Sequence, residues 1–336
     1  MQGSATFQYP PLKENDAGEI RKIGFEMEFS GISLPEAAGI VADIFGGTVE
    51  CENRFLYFVK GARFGDFRVE LDATVLKDDR YKEYLKIIGV DLDRLQIGEE
   101  IDSLISRMAA TVVPHEIVLP PIPLPDIPTV ELLKNSMRKA RALGTNASVI
   151  YAFSLQINPE IPSAQPSVLV NYIKSFLLLY HWIHKKCEID FSRRIAPFIK
   201  DYPLSYYRLV LDTEYAPDLP VLIEDYLVHN PTRNRPLDLL PLFAWLAKDQ
   251  VWRHPVEKEL IKSRPAFHYR LPNSLIDENK WTVAEEWNLW VEVEKLAVNA
   301  EKIRQMSEDF SGTVGFPKSL NISAWTEKVD HWLTGP

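Results

Sequence analysis

The sequence predicts an α+β protein in which strands come first along the chain and helices follow. Short runs that alternate apolar and polar side chains recur through residues 20–160. From residue 166 onward the apolar residues recur at three- and four-residue spacing, which is typical of helices. One late strand-like run, 266–270, lies among these helices and predicts that the chain returns to the sheet.

The first half contains most of the sheet-forming sequence. A strand at 23–29 leads into a helix that Ser33 caps and that a Gly-Gly pair ends near residue 46. Turn residues such as Asn53 and Gly61 then separate short runs, as in an antiparallel meander. Further strands are predicted at 48–51, 54–60, 66–75, 115–119 and 148–158, and helices at 33–45, 78–110 and 129–143.

The second half is mostly helical. Helices are predicted at 166–188, 192–200, 217–229, 236–248, 282–307 and 321–333. Because the run at 266–270 returns to the sheet, we expect one unit spanning residues 1–336 rather than two domains. Its sheet-forming core is expected at 20–160 and 264–272, and its helical portions at 166–262 and 282–333.

Composition excludes several functional classes. The formal net charge of -9 argues against nucleic acid as a partner, because a phosphate backbone favours a basic face. The two cysteines, Cys51 and Cys187, are too few for a disulfide framework. The most apolar stretch, 168–183, is interrupted by polar residues and is too short for a membrane span, and the start of the chain has no secretory pattern. We therefore expect a cytoplasmic protein without a membrane segment.

The segment GFEMEF carries two acids that point to the same face of a strand. Glu26 and Glu28 alternate with Phe25, Met27 and Phe29, so one face is acidic and the other apolar. Two like charges side by side repel each other unless a cation or an arginine lies nearby. The alternative interpretation is an edge strand whose acids face water.

Two further strands repeat this pattern. Arg68, Glu70 and Asp72 are in phase in the run DFRVELD, and Glu116 lies in the strand HEIVL. Acids on three strands favour a divalent-metal site, and ligands that are all oxygen favour Mg²⁺ or Mn²⁺ over zinc.

Two arginine-containing segments are candidates for anion binding. Arg233 and Arg235 lie in the loop NPTRNRP, just before a predicted helix start, where backbone N–H groups also favour anions. The alternative is a surface turn that forms ion pairs with Asp238 or Asp225. In the late strand, His268 and Arg270 share one face between two prolines. A histidine in this position is either a structural hydrogen-bonding residue or a ligand.

The order of these motifs resembles the amidoligase family of the glutamine synthetase and glutamate–cysteine ligase superfamily. The resemblance spans about residues 20–275 and includes the segments YAFSLQINPE, DYLVHNPTRNRPLDLLPLF and RPAFHYRLPN. It implies a curved antiparallel sheet, a glutamine synthetase-like catalytic fold, whose concave face holds divalent metals, ATP and a carboxylate substrate, with helices on the convex face. Superfamily members often carry H-x-H where this chain has Ser154-Leu155-Gln156, and E-x-R where it has His268-Tyr269-Arg270.

The resemblance also implies roles for individual residues. The implied metal ligands are Glu26, Glu28, Glu70, Gln156 and His268; the nucleotide-binding residues are Arg68, Arg233 and Arg235; and the catalytic residues are Arg270, Glu116 and Asp72. Arg270 would face the transferring phosphoryl group, and Asp72 or Glu116 would take a proton from the attacking amine.

The expected function is therefore an ATP-dependent carboxylate–amine ligase that forms an amide or peptide bond through an acyl phosphate. Its cofactors would be ATP with Mg²⁺ or Mn²⁺, and its substrate a small molecule or peptide with a carboxylate and an amine. The resemblance also implies a glutamine amidotransferase-like partner. Two alternatives stay open: a non-catalytic peptide- or protein-binding descendant of the fold, and a guanidino-type phosphotransferase.

Overall fold

The computed structural model describes residues 6–71, 115–144, 153–187, 199–314 and 322–334. Within these ranges the strands form one open antiparallel sheet of nine strands. The strands are β1 Lys22–Phe29, β2 Thr48–Asn53, β3 Leu56–Ala62, β4 Gly65–Leu71, β5 His115–Val118, β6 Ile122–Pro123, β7 Leu155–Pro159, β8 Leu237–Asp238 and β9 His268–Tyr269. Their order is β2-β3-β4-β5-β1-β7-β9-β8, and β6 also pairs with β1.

Helices make up most of the remaining structure. They are α1 Leu34–Phe45, α2 Thr129–Lys139, α3 Pro166–Lys186, α4 Leu204–Val210, α5 Leu219–His229, α6 Leu240–Leu246, α7 Lys248–Val251, α8 Val283–Ala297, α9 Ala300–Val314 and α10 Ile322–Thr334. Short 3₁₀ turns occur at Leu124–Asp126 and Lys258–Leu260. In the part of the chain described here, none of the helices has both the length and the apolar character needed to cross a lipid bilayer.

The chain divides into two compact units, and each takes segments from distant parts of the sequence. The strand-rich unit consists of Gly24–Gln156 and Asn273–Val283. The helix-rich unit consists of Met1–Ile23, Ile157–Pro272 and Ala284–Pro336. The description of residues 1–336 as a single catalytic unit stays a prediction, as does the glutamine synthetase-like form of the sheet.

In the strand-rich unit, α1 covers one face of the sheet. Ser33 caps the helix by accepting a hydrogen bond from the backbone N–H of Glu36, and a proline follows in the first turn. The helix buries its apolar side over β3 and β4, where Phe45 stacks on Phe67 with ring centroids 4.7 Å apart. The same sheet face also buries Val69. The apolar half of each alternating strand is thereby removed from water.

In the helix-rich unit, α3 packs against β9 through aromatic rings. Tyr172 stacks on Phe267 at 5.2 Å, and Phe176 contacts Tyr269 edge to face at 6.1 Å. Trp290 of α8 contacts the Tyr269 ring at 5.5 Å. These rings cover the apolar face of the β9 segment. Because side chains alternate along a strand, His268 and Arg270 lie on the opposite face.

A fully buried ion pair joins the segment before β1 to α8 in this unit. Arg21 donates to both carboxylate oxygens of Glu294, at 2.7 and 2.8 Å, and neither side chain is exposed. Tyr172 and Trp290 donate to the same carboxylate, at 2.9 and 2.7 Å. Burial lowers the pKa of Arg21, but Glu294, together with Tyr172 and Glu160, outweighs this effect, and the net pKa is raised.

Two predicted helices differ from the structure. The helix predicted at 236–248 begins only at Leu240, because Leu237 and Asp238 pair with β9 instead. The helix predicted at 282–307 is broken between α8 and α9, where the side chain of Asn299 caps the new helix by accepting from the N–H of Lys302. The short helix α4 was not predicted. The helix predicted at 78–110 and most of the one predicted at 192–200 lie outside the described residues.

Candidate functional site

Three glutamates of the strand-rich unit lie side by side on neighbouring strands. Glu28 of β1 is the cross-strand partner of Glu116 in β5, and Glu116 is in turn the partner of Glu70 in β4. Residues directly opposite in an antiparallel pair project to the same face, with Cα atoms about 4.5–5.5 Å apart. We call Glu28, Glu70 and Glu116 the glutamate row.

A second row of the same face runs parallel to the first. Glu26 and Arg68 are both partners of Val118, one from each neighbouring strand. The N–H of Glu28 donates to the carbonyl of Ser154, and the N–H of Glu160 donates to the carbonyl of Lys22. Both bonds fit a single antiparallel register between β1 and β7, in which Glu28 is opposite Ser154 and Lys22 is opposite Glu160. In that register Gln156 lies directly across from Glu26.

The opposite face of these strands is apolar. Met27, Ile117 and Val69 form the matching row there, and none of them is exposed. The four glutamates are half-buried, in contrast. The alternation of GFEMEF and RVEL therefore separates a core face from an acidic face, and the six predicted residues Glu26, Glu28, Arg68, Glu70, Glu116 and Gln156 share the acidic one.

Several interactions partly offset the negative charge of the acidic face. The Nε of Arg68 lies 2.8 Å from Oε1 of Glu70. Glu28 Oε2 accepts the backbone N–H of Ser154 at 2.6 Å, and the Ser274 hydroxyl donates to the Glu28 carbonyl oxygen at 2.7 Å. These contacts fix the backbone and one oxygen of Glu28. Like charges directly opposite in a sheet are destabilising, so a row of three carboxylates favours cation binding.

The donor chemistry of the acidic face suits a hard divalent cation, because carboxylate and amide oxygens are the ligands that Mg²⁺ and Mn²⁺ prefer. As the side chains lie, however, no three His, Cys, Asp or Glu residues among the described ones are grouped closely enough to hold a metal ion. Asp72, predicted as a catalytic residue, lies outside the described residues. The metal site and the role of Asp72 stay predictions.

The helix-rich unit carries a cluster of arginines around β8 and β9. Asp238 is the cross-strand partner of His268, so both side chains lie on the same face of this strand pair, and Arg270 follows two residues later. Arg270 Nη2 lies 3.2 Å from Oδ2 of Asp238, whose side chain is 0% exposed. Burial raises the pKa of Asp238, although the positive charges of Arg270 and Arg233 oppose this shift.

His268 accepts a hydrogen bond instead of standing free. Its Nε2 lies 2.7 Å from Nε of Arg264, and a guanidinium nitrogen can only donate. Burial is the largest cause that lowers the pKa of His268 far below its usual range. The positive charges of Arg264, Arg270, Arg233 and Lys262 lower it further. His268 is therefore neutral and carries its proton on Nδ1.

The two arginines of the NPTRNRP loop are placed differently. Arg235 is buried, and its guanidinium donates to the backbone carbonyls of Lys200, Asp201 and His229. Arg233 is half-buried and acts electrostatically on both Asp238 and His268. The loop is thus anchored by Arg235, while Arg233 belongs to the cluster around β8 and β9.

The sequence indicates Asp238 only as an ion-pair partner of the loop arginines in the alternative interpretation, and it does not bring Arg264 into this cluster. Asp238 lies two residues before Leu240, whose backbone N–H it accepts through Oδ1 at 3.0 Å, and the sequence predicts it to be inside a helix. Arg264 precedes a proline, outside the predicted strand. A spacing of four residues would place Arg264 and His268 on one face of a continuous strand, but the predicted strand begins only at residue 266, so the sequence does not predict the contact.

The chain matches the family described as putative amidoligase enzyme over residues 19–292. The chain belongs to this amidoligase family. No curated protein and no solved structure gave a significant match.

The matched residues 19–292 include the acidic face and the arginine cluster, since all residues of both lie between Glu26 and Arg270. The match ends within α8, so that α9 and α10 follow the part shared with the amidoligase family. The prediction of family membership from motif order is confirmed.

Proposed function

We propose that this amidoligase is an ATP-dependent carboxylate–amine ligase that forms an amide bond through an acyl phosphate. Membership of the family supports a ligase in general. The observation that carries the finer proposal is the glutamate row, because three carboxylates on adjacent strands are a costly arrangement that a divalent cation would stabilise.

In this proposal Glu28, Glu70 and Glu116 hold Mg²⁺ or Mn²⁺, and Glu26 and Gln156 complete the set of oxygen donors. When bound, the cation screens the negative charge of the ATP phosphates and polarises the group that is transferred. The residues of the chain supply the remaining part of the chemistry: the acids orient the cation, and Arg68 balances the charge of Glu70 beside it.

The arginine cluster supplies the positive charge that phosphoryl transfer needs. Arg270 is held by Asp238, and its side chain is 23% exposed, so part of the side chain stays accessible. A preorganised guanidinium stabilises charge that develops on a transferring phosphoryl group. Arg233 would bind the phosphates in the ground state. Arg235 is left out of the ligand-binding set in this proposal, because its guanidinium holds backbone carbonyls.

The reaction would proceed in two steps. A substrate carboxylate oxygen attacks the terminal phosphorus of ATP, and ADP leaves. The amine nitrogen then attacks the acyl carbon, phosphate leaves, and the amine proton passes to a carboxylate. Glu116 or Asp72 is the proposed acceptor. The proposed substrates are amino acids or short peptides, and a glutamine amidotransferase-like partner that delivers ammonia remains part of the proposal.

The test is ATP consumption by the purified protein with Mg²⁺ or Mn²⁺, screened across amino acids and short peptides. We expect ADP and phosphate to appear together only when a carboxylate and an amine are both present. Glu116→Gln should abolish this activity, whereas Glu52→Gln, the same change on an exposed position of β2, should not. Turnover that is independent of divalent cations would contradict the proposed role of the glutamate row.

A binding module is the second candidate. It would bind ATP or a peptide without turnover, and the departures at Gln156 and His268 from the motifs of the superfamily favour it. Tight peptide binding with no ADP release from any carboxylate and amine pair would support this candidate over the ligase.

A further inference from the structure

The arginine cluster of the helix-rich unit contains a contact that the proposed function does not use. Arg264 reaches His268 through a hydrogen bond of 2.7 Å between Nε and Nε2. His268 itself is 3% exposed and is fixed in the sheet opposite Asp238. A half-buried arginine is therefore held by a buried, neutral acceptor.

The same arrangement occurs at Arg270. There the fully buried Asp238 accepts from Nη2 at 3.2 Å and is itself fixed by the backbone N–H of Leu240. Asp238 and His268 are cross-strand partners, so the two acceptors lie side by side on one face. Each acceptor restricts the rotamers of one arginine, which reduces the entropy lost when that arginine binds a ligand.

Several positive charges surround His268. Arg233, Arg264, Arg270 and Lys262 all act on it as positive charges, and Arg233 and Arg270 also act on Asp238. His268 accepts a hydrogen bond at Nε2, so that nitrogen carries no proton. Cationic side chains grouped in this way favour a multiply charged anion such as a pyrophosphate group.

We propose that Arg264 is a phosphate-binding residue of this cluster, and that His268 is the positioning residue that holds it, as Asp238 holds Arg270. The ligand class is a di- or triphosphate. This inference deepens the proposed function, because it assigns part of the ATP-binding site, but it is tested without turnover. It also gives His268 a role that replaces metal ligation through Nε2.

The experiment titrates inorganic pyrophosphate into the full-length protein with EDTA present, using isothermal titration calorimetry. We expect Arg264→Gln to weaken pyrophosphate binding by roughly 10- to 100-fold, as for the loss of a charged hydrogen-bonding group. Arg304→Gln is the matched control, since Arg304 lies on the exposed side of α9 in ion pairs with Glu301 and Glu308. Its affinity for pyrophosphate should not change.

Two variants test the positioning role of His268. His268→Gln keeps a side-chain oxygen that accepts from Arg264, so it should bind pyrophosphate nearly as well as the unmodified protein. His268→Phe loses the acceptor and should bind as weakly as Arg264→Gln. The double variant Arg264→Gln/His268→Phe should be no weaker than either single variant, because His268 acts through Arg264. Additive losses in the double variant would overturn the positioning role.

Circular dichroism checks the folding of each variant. If His268→Phe does not fold, the pyrophosphate affinities of His268→Gln and Arg264→Gln test the proposal. Unchanged pyrophosphate binding by Arg264→Gln, or no binding by the unmodified protein, overturns the proposal. A loss of Mn²⁺ affinity in His268→Gln, at unchanged pyrophosphate affinity, overturns it in favour of metal ligation. Pyrophosphate binding that needs Arg264 in a protein without ligase turnover supports this site while contradicting the proposed function.

Discussion

At the scale of single residues, Asp238 determines how Arg270 is presented. Its carboxylate is fully buried and accepts from both Arg270 and the N–H of Leu240. Burial of an aspartate is costly unless such partners compensate it, so the contact with Arg270 is a requirement of the local structure as well as a constraint on the guanidinium. The position of Arg270 is thus fixed before any ligand arrives.

Arg270→Lys should lower turnover by roughly a hundredfold or more, and should change nucleotide affinity much less. A lysine retains the charge but lacks the planar fork, and the strongest contacts to a transferring phosphoryl group form in the transition state. Steady-state kinetics together with nucleotide binding measures both effects. Arg304→Lys on the exposed side of α9 serves as the control. Intact turnover in Arg270→Lys would show that the late strand has another role.

Glu28→Gln should abolish the rise in melting temperature that ATP with Mg²⁺ produces, while leaving the free protein at least as stable. An amide oxygen can still accept from the N–H of Ser154, and removing one charge relieves repulsion with Glu116. Differential scanning fluorimetry with and without ATP and Mg²⁺ measures both quantities. Glu52→Gln on β2 is the matched control, and an unchanged response in Glu28→Gln counts against the glutamate row as the cation site.

At the scale of elements, the sequence predicted strands by their two-residue period and helices by their spacing, and the errors have local causes. The break after α8 depends on Asn299, whose side chain caps α9, and a capping asparagine inside a long apolar pattern is easily overlooked. The late start of α6 depends on pairing between β8 and β9, which connects residues about thirty positions apart. Such long-range pairing overrides local propensity.

Glu294→Gln in α8 should lower the free energy of unfolding by about 3–5 kcal/mol, because Arg21 would remain buried without its counter-charge. Urea denaturation followed by circular dichroism measures the change. Glu301→Gln in the neighbouring helix α9 removes one partner of an exposed ion pair and should have little effect. A similarly small effect of Glu294→Gln would indicate that the buried ion pair is not needed.

His181 in α3 should make stability depend on pH. Burial, with the nearby His184, lowers its pKa to about 4, although Asp201 opposes this shift. In the unfolded chain its pKa returns to about 6.5. Between these values the unfolded chain binds a proton that the folded protein does not, so the free energy of unfolding falls as pH drops from about 6.5 to about 4.

Replacing the histidine tests this dependence. Urea unfolding of His181→Gln between pH 7 and pH 4 should show a smaller loss of stability, by as much as about 1.4 kcal/mol per pH unit inside the window. Other titrating groups affect both proteins alike, so the difference between the two curves isolates His181. Identical curves would show that His181 is protonated as easily when folded as when unfolded.

At the scale of the whole molecule, the α+β class and the shared face of the acids could be predicted, because alternation in a strand is a local signal. The structure also places Gln156 across from Glu26. That position depends on the register between β1 and β7, which is not a local signal. The arginine cluster could be predicted only in part. The sequence indicates Arg270 and Arg233 by residue type and Asp238 as an alternative ion-pair partner. The placement of Asp238 opposite His268 depends on the pairing of β8 with β9, and Arg264 joins through its hydrogen bond to His268, which the sequence does not predict.

The pair of Arg21 and Glu294 has a consequence for biosynthesis. The ribosome adds Glu294, the counter-charge of Arg21, 273 positions after Arg21 itself. Until then the helix-rich unit cannot bury the guanidinium without a large penalty, whereas β1, β4 and β5 of the strand-rich unit are already available by residue 118. We therefore expect the nascent chain to keep the segment around Arg21 exposed, and accessible to chaperones, until Glu294 has been synthesised.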